Sequence, residues 1–145
     1  MKADRMSADQ ALQDIADYVI DFKVESEEAL NTARNCLMDT IGCGLLALKY
    51  PNCTRHLGPL VPGTTVENGA RVFGRSFELD PVKAAWDIGA LVRWLDFNDT
   101  WLAEEWGHPS DNLGAIMALS DYISRVNISN HKSPLSIKDV LEYMV

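Results

Sequence analysis

The stretch SEEALNTARNCLMDTIGCGLLALKYP, residues 26–51, decides the fold. Ser26 ahead of Glu27 and Glu28 marks a helix start, because a hydroxyl caps free N–H groups and the two acids sit at the positive end of the helix dipole. From there Leu30, Ala33, Leu37, Ile41, Leu45 and Leu48 step by three or four residues up to Tyr50-Pro51. The pattern predicts one long helix over about 26–50. After Cys36 it is nearly apolar all round, which predicts burial inside a sizeable α-helical core. Gly42 and Gly44 each cost roughly 1 kcal/mol against Ala, and are expected to let a neighbouring helix approach closely.

Outward from this helix the chain continues as helices joined by short loops. Before it, Ser7 followed by Gln10 reads as a capping box, and Leu12, Ile15, Ala16, Val19 and Ile20 recur at helical spacing, predicting a helix over about 8–22. After it, residues 51–79 are rich in Pro and Gly, and Thr64–Val66 with Arg71–Phe73 can form a small hairpin around Asn68-Gly69. Asp80-Pro81 is an N-cap with Pro at the first helical position. The helix behind it is expected to turn Val82, Ala85, Trp86, Gly89, Leu91, Val92 and Leu95 inward. A loop, Asp96–Pro109, leads to a helix over about 110–126 and a polar linker over 127–135. Ser136 with Asp139 opens a last helix whose apolar face is Ile137, Val140, Leu141, Met144 and Val145. Ending on an apolar face, without Gly, Pro or a polar cap, fits a piece of a longer protein. The expectation is a mainly α, multi-helix fold in a single helical domain, 1–145, with a Pro/Gly-rich loop and a short hairpin near 60–75.

Composition narrows the function. The chain has 145 residues and 16.1 kDa, which fits one domain of about 100–200 residues. Thirteen basic against 21 acidic residues give a net charge of −8 and a pI near 4.7. Nucleic acids and anionic membranes need Lys and Arg to displace counterions, so neither is an expected partner. The strongly apolar run Ile41–Leu48 falls far short of the ~20 residues that span a bilayer. The first six residues lack the apolar centre of a signal peptide. Cys36, Cys43 and Cys53 fit no CxxC or iron–sulfur spacing and read as small buried thiols in a reducing compartment. The N-x-S/T triplets at Asn52, Asn98 and Asn127 read as coincidences in a chain with no secretory signal.

Chemistry-bearing residues concentrate in Arg93-Trp94-Leu95-Asp96-Phe97-Asn98-Asp99-Thr100-Trp101 and Gly107-His108-Pro109-Ser110-Asp111-Asn112. Pro109 restricts His108 to an extended backbone, aiming the imidazole from a loop. The helix starting near Ser110 offers N–H groups suited to an anion. An EF-hand is excluded, since Asp96-x-Asn98-x-Thr100 lacks the Gly and Glu that complete the loop. A hydrolase triad is excluded because His108 and Ser110 stand two apart with no G-x-S-x-G elbow. A metal site from Asp99, Glu104 and His108 is one reading. A structural reading has Asp and Ser capping helix ends and His108 satisfying a loop carbonyl.

Asp80-Pro81-x-x-Ala84-Ala85, the 93–101 run and Trp106-Gly107-His108-Pro109-Ser110-Asp111-Asn112 together resemble the MmgE/PrpD family. Residues 36–44 and 57–64 resemble it too, and the likeness covers roughly residues 12–145. The resemblance implies the N-terminal part of a helical domain in a much longer, usually dimeric enzyme that also carries an α/β lid domain, here absent, and needs no iron–sulfur cluster or other cofactor. The implied reaction removes water from 2-methylcitrate to give 2-methyl-cis-aconitate in propionate breakdown by the methylcitrate cycle. A related branch decarboxylates cis-aconitate. The Trp106–Asn112 run is more similar to the dehydrating branch. At the matching positions, His108 is the candidate for proton transfer and Asp96 its partner or a group holding the site in register. Thr100 is implied to bind a substrate carboxylate, and Ser110, at the helix start, is the second substrate-binding candidate. No metal ligand is implied.

The loop is nonetheless acidic, with Asp96, Asp99, Glu104, Glu105 and Asp111 against Arg93 alone, whereas a tricarboxylate needs cations or many N–H donors. The family's lysine and further histidine lie downstream of the matching region, so the 145-residue chain is expected to be inactive alone. The expected compartment is the cytoplasm, or the mitochondrial matrix in a eukaryote. A non-catalytic helical interaction domain is the alternative of a different class.

Overall fold

The computed structural model describes residues 9–145. Six α-helices and two very short strand pairs make up its regular structure among the described residues. Helix α1 spans Gln10–Asp21 and is capped by Asp9, whose side chain accepts from the Ala11 N–H. Ser7, where the sequence places the cap of this helix, lies outside the described residues. Helix α2 spans Glu27–Ala47, and Ser26 caps it as expected by accepting from the Ala29 N–H. A single turn, α3, follows at Pro51–Thr54, inside the segment that reads as loop from its Pro and Gly content.

The hairpin differs from the expected one. Strand β1, Ala70–Arg71, pairs with β2, Glu78–Leu79, rather than with residues 64–66. Asn68 adopts φ 55°, so the Asn68-Gly69 turn is real, but it only delivers the chain to β1. The reversal falls at Gly74, φ 71°. Gly69 is required by closeness, because a Cβ there would stand 2.6 Å from the Leu79 carbonyl oxygen.

Helix α4, Pro81–Arg93, is the centre of the fold, with Asp80 capping it through the Lys83 N–H at 3.0 Å. Its buried stripe is Ala84, Asp87, Ile88, Leu91 and Val92. Val82 and Trp86, expected inward, are 80% and 54% exposed. The stripe is rotated because a charged residue sits on it. Asp87 is fully buried and paired with Lys83, it accepts the Gly58 N–H at 2.8 Å, and Lys83 donates to the His56 carbonyl at 3.2 Å. Trp86 then covers Lys83, whose ammonium lies 4.5 Å from the ring centroid.

A 3-10 turn at Pro109–Asn112 feeds α5, Leu113–Ser129, which runs through part of the expected linker. Gly114 lets α5 pack directly on α4, since a Cβ there would meet the Ala85 carbonyl at 2.6 Å. Gly44 of α2 likewise accommodates the Phe73 ring, whereas Gly42 faces open space. Helix α6, Ile137–Met144, begins at Ser136 and Asp139 as expected, and the two form a capping box. One cluster of the core surrounds Val72, Ile88, Leu91 and Ala118. A second joins Ala33 and Leu37 of α2 to Leu113 and Leu141. Burial of α2 is one-sided: Met38 and Leu45 are exposed. No helix of the described residues is long and apolar enough to cross a membrane.

Candidate active site

The loop after α4 leaves the helix at Arg93 and returns through a hairpin of β3, Trp101–Leu102, and β4, Trp106–Gly107. Arg93 holds both ends of this excursion. Its guanidinium pairs with Asp96 at 2.9 Å and with Asp111 at 3.3 Å, and donates to the Asn98 side-chain oxygen at 3.0 Å. Asp96 sits at φ 56°, a left-handed conformation that Asp tolerates better than most residues. Asn98 passes the connection on by donating its amide to the Ser110 hydroxyl at 2.8 Å. Both Asn98 and Ser110 are buried.

Asp99 takes hold of the other arm. Its two carboxylate oxygens each lie 3.2 Å from the Ser110 nitrogen, and its carbonyl lies 2.7 Å from His108 Nδ1. The anion expected at the helix start near Ser110 is thus supplied by the chain itself. His108 has the extended backbone that Pro109 demands, φ −113° and ψ 101°. A carbonyl oxygen only accepts, so Nδ1 carries the proton in this contact and the neutral ring has its lone pair on Nε2. Trp106 stands at 90° to the imidazole with centroids 5.5 Å apart.

The sequence-derived candidates are therefore brought to one loop but not to equal states. His108 is half-buried and fixed, while Asp96 is exposed on Arg93. Thr100 is exposed beside β3, and the Ser110 hydroxyl and N–H are both engaged. Capping by Asp99 and carbonyl satisfaction by His108 are what the structural reading of these residues expected. Asn98 and Asp99 are the members that reading by residue type assigned no part in the proton chemistry. Their partners lie five to twelve residues away, and no local spacing announces them. Asn98, with both ends of its amide paired in the interior, is no glycosylation acceptor.

Helix α2 forms the floor. Burial, and after it the negative charge of Asp99, pushes the Cys36 thiol's pKa up. Burial followed by Asp39 and Asp99 does the same to Cys43. Among the described residues, no group of three or more His, Cys, Asp and Glu is arranged to hold a metal ion, so Asp99, Glu104 and His108 form no such group. The chain supplies one general acid–base candidate on a rigid mount, an exposed carboxylate and hydroxyl nearby, and a single arginine already occupied by acids.

Residues 13–145 match the MmgE/PrpD N-terminal domain, and the chain belongs to that family. It is 62% identical over 143 residues to a 2-methylcitrate dehydratase of Cupriavidus necator, covering 99% of this chain and 30% of that protein. With the 2-methylcitrate dehydratase of Escherichia coli strain K12 it shares 57% identity over 141 residues, 97% of this chain and 29% of that protein. A mitochondrial 2-methylcitrate dehydratase of Yarrowia lipolytica is 51% identical over 142 residues, 97% of this chain and 27% of that protein. The chain thus spans less than a third of the length of the relatives it matches.

Proposed function

We propose that this domain belongs to a 2-methylcitrate dehydratase and supplies its proton-transfer histidine. The observation that carries the reading is the 62% identity over 143 residues with a relative of that name. Dehydration removes a weakly acidic proton from a carbon beside a carboxylate and the hydroxyl from the neighbouring carbon, leaving a C=C bond and water. It needs a base for the first event and an acid for the second. His108 suits either role, since free imidazole titrates near 6.5 and its Nδ1 is already committed to a carbonyl. Asp96 is the exposed carboxylate of the same loop and Thr100 the exposed hydroxyl for a substrate carboxylate, with Ser110 holding the turn that carries His108. No metal or organic cofactor is required for this chemistry.

The cations that a tricarboxylate demands come from the part of the enzyme beyond this domain, because Arg93 is neutralised by Asp96 and Asp111. The enzyme works as a homodimer, in the cytoplasm or, in a eukaryote, in the mitochondrial matrix. The test is an assay of the purified full-length protein against 2-methylcitrate and cis-aconitate, read by the ultraviolet absorbance of unsaturated acids and by released CO₂. Absorbance rising from 2-methylcitrate without CO₂ is the expected result. CO₂ from cis-aconitate alone would replace dehydration with decarboxylation. Inertness toward both would leave a non-catalytic helical domain.

A further inference from the structure

We infer that Asp99 is the positioning residue of His108, gripping the imidazole with its carbonyl and the next turn with its carboxylate, so that Nε2 is the nitrogen that exchanges the proton. This rests on the proposed role of His108. One residue makes both contacts: its carbonyl meets Nδ1 at 2.7 Å, and its carboxylate meets the Ser110 N–H at 3.2 Å. Only Pro109 lies between the two gripped positions, and its ring fixes φ and removes an N–H, so this short segment has little freedom to shift. The residue before Asp99 is pinned too, with the buried Asn98 amide joining Arg93 to Ser110. Asp96, the carboxylate that the family resemblance implies as the partner of His108, pairs with Arg93.

The consequence is a fixed tautomer. The other ring nitrogen's partner decides which nitrogen of a histidine carries the proton, and here that partner is a group able only to accept. Free histidine side chains favour the opposite, Nε2–H form. Loss of the Asp99 carboxylate releases the Ser110 N–H, loosens the carbonyl against Nδ1 and lets the ring drift toward that form. Asn at this position keeps a side-chain oxygen for the Ser110 N–H.

The test reads the tautomer directly, by ¹⁵N resonances of the imidazoles at alkaline pH. The chain has three histidines, and His56→Gln and His131→Gln assign the remaining signals. His108 is expected with a protonated Nδ1 and a bare Nε2, shifting toward Nε2–H in Asp99→Ala and staying native in Asp99→Asn. In the full-length enzyme, Asp99→Ala is expected to lower kcat by about 10²-fold, the scale of an ångström of misplacement, with KM little changed. Asp99→Asn keeps most of kcat. An Nε2–H tautomer in the unsubstituted protein overturns the inference even if Asp99→Ala fails to fold. So does an Asp99→Asn variant as impaired as Asp99→Ala. If His108→Ala turns over normally, the proposed function falls, while the tautomer still judges Asp99 separately.

Discussion

Asp87 carries its charge where no solvent reaches it, on the face of α4 that an apolar pattern reserves for hydrocarbon. It is tolerated because Lys83 neutralises it and Gly58 gives it an N–H, while Lys83 ties the same loop down through His56. A buried pair that loses one member leaves an uncompensated charge. Asp87→Ala is therefore expected to lower unfolding stability by about 3–5 kcal/mol, whereas Asp87→Leu with Lys83→Met costs much less. Urea unfolding of the three proteins checks the order, and an Asp87→Ala protein as stable as the parent contradicts it. The same residue explains why the inward face of α4 was misjudged. Reading by hydropathy counts Asp87 as outward and Trp86 as inward, and both are reversed by a pairing that only the folded chain makes. His108, by contrast, was legible, because Pro109 dictates its backbone whatever the surroundings. Asn98 and Asp99 were not, because their roles depend on burial and on partners across the loop.

At the scale of elements, helix starts were the best-read features, since a cap is a local event between residues two or three apart. Ser26, Asp80 and Ser136 all cap as their spacing predicts. Pairing between strands is not local, and the β1–β2 register escaped for that reason. The cap on α6 gives a pH prediction. Asp139 accepts from the Ser136 N–H and hydroxyl, at 2.6 and 2.8 Å, and these bonds hold its carboxyl below its ordinary value. A group with a depressed folded pKa stabilises above the unfolded pKa and loses that contribution as pH falls through the folded one. Helix α6 should therefore stay capped through the normal aspartate range and fray only below it. A carboxyl-carbon titration of Asp139 is expected to show its midpoint below the ordinary aspartate value, and Ser136→Ala should move it back up. An unchanged midpoint in Ser136→Ala contradicts the cap.

For the whole molecule, the surface is the telling feature. Among the described residues, exposed apolar side chains crowd identifiable faces: all of α1, the outer side of α2 with Met38 and Leu45, and the β3–β4 hairpin with Trp101, Leu102 and Trp106. Apolar faces of this extent mark contact surfaces, in line with a chain that spans less than a third of its relatives. The 145-residue chain is accordingly expected to sediment as a dimer or larger species and to give no product from 2-methylcitrate. A monodisperse monomer with turnover would contradict both expectations. The central claim, that His108 moves the proton, is tested most directly in the full-length enzyme. His108→Ala should reduce turnover of 2-methylcitrate by roughly 10²–10⁴-fold, the usual worth of general acid–base catalysis, with the circular dichroism of the parent retained. A well-folded His108→Ala enzyme that dehydrates 2-methylcitrate at the parent rate would contradict it.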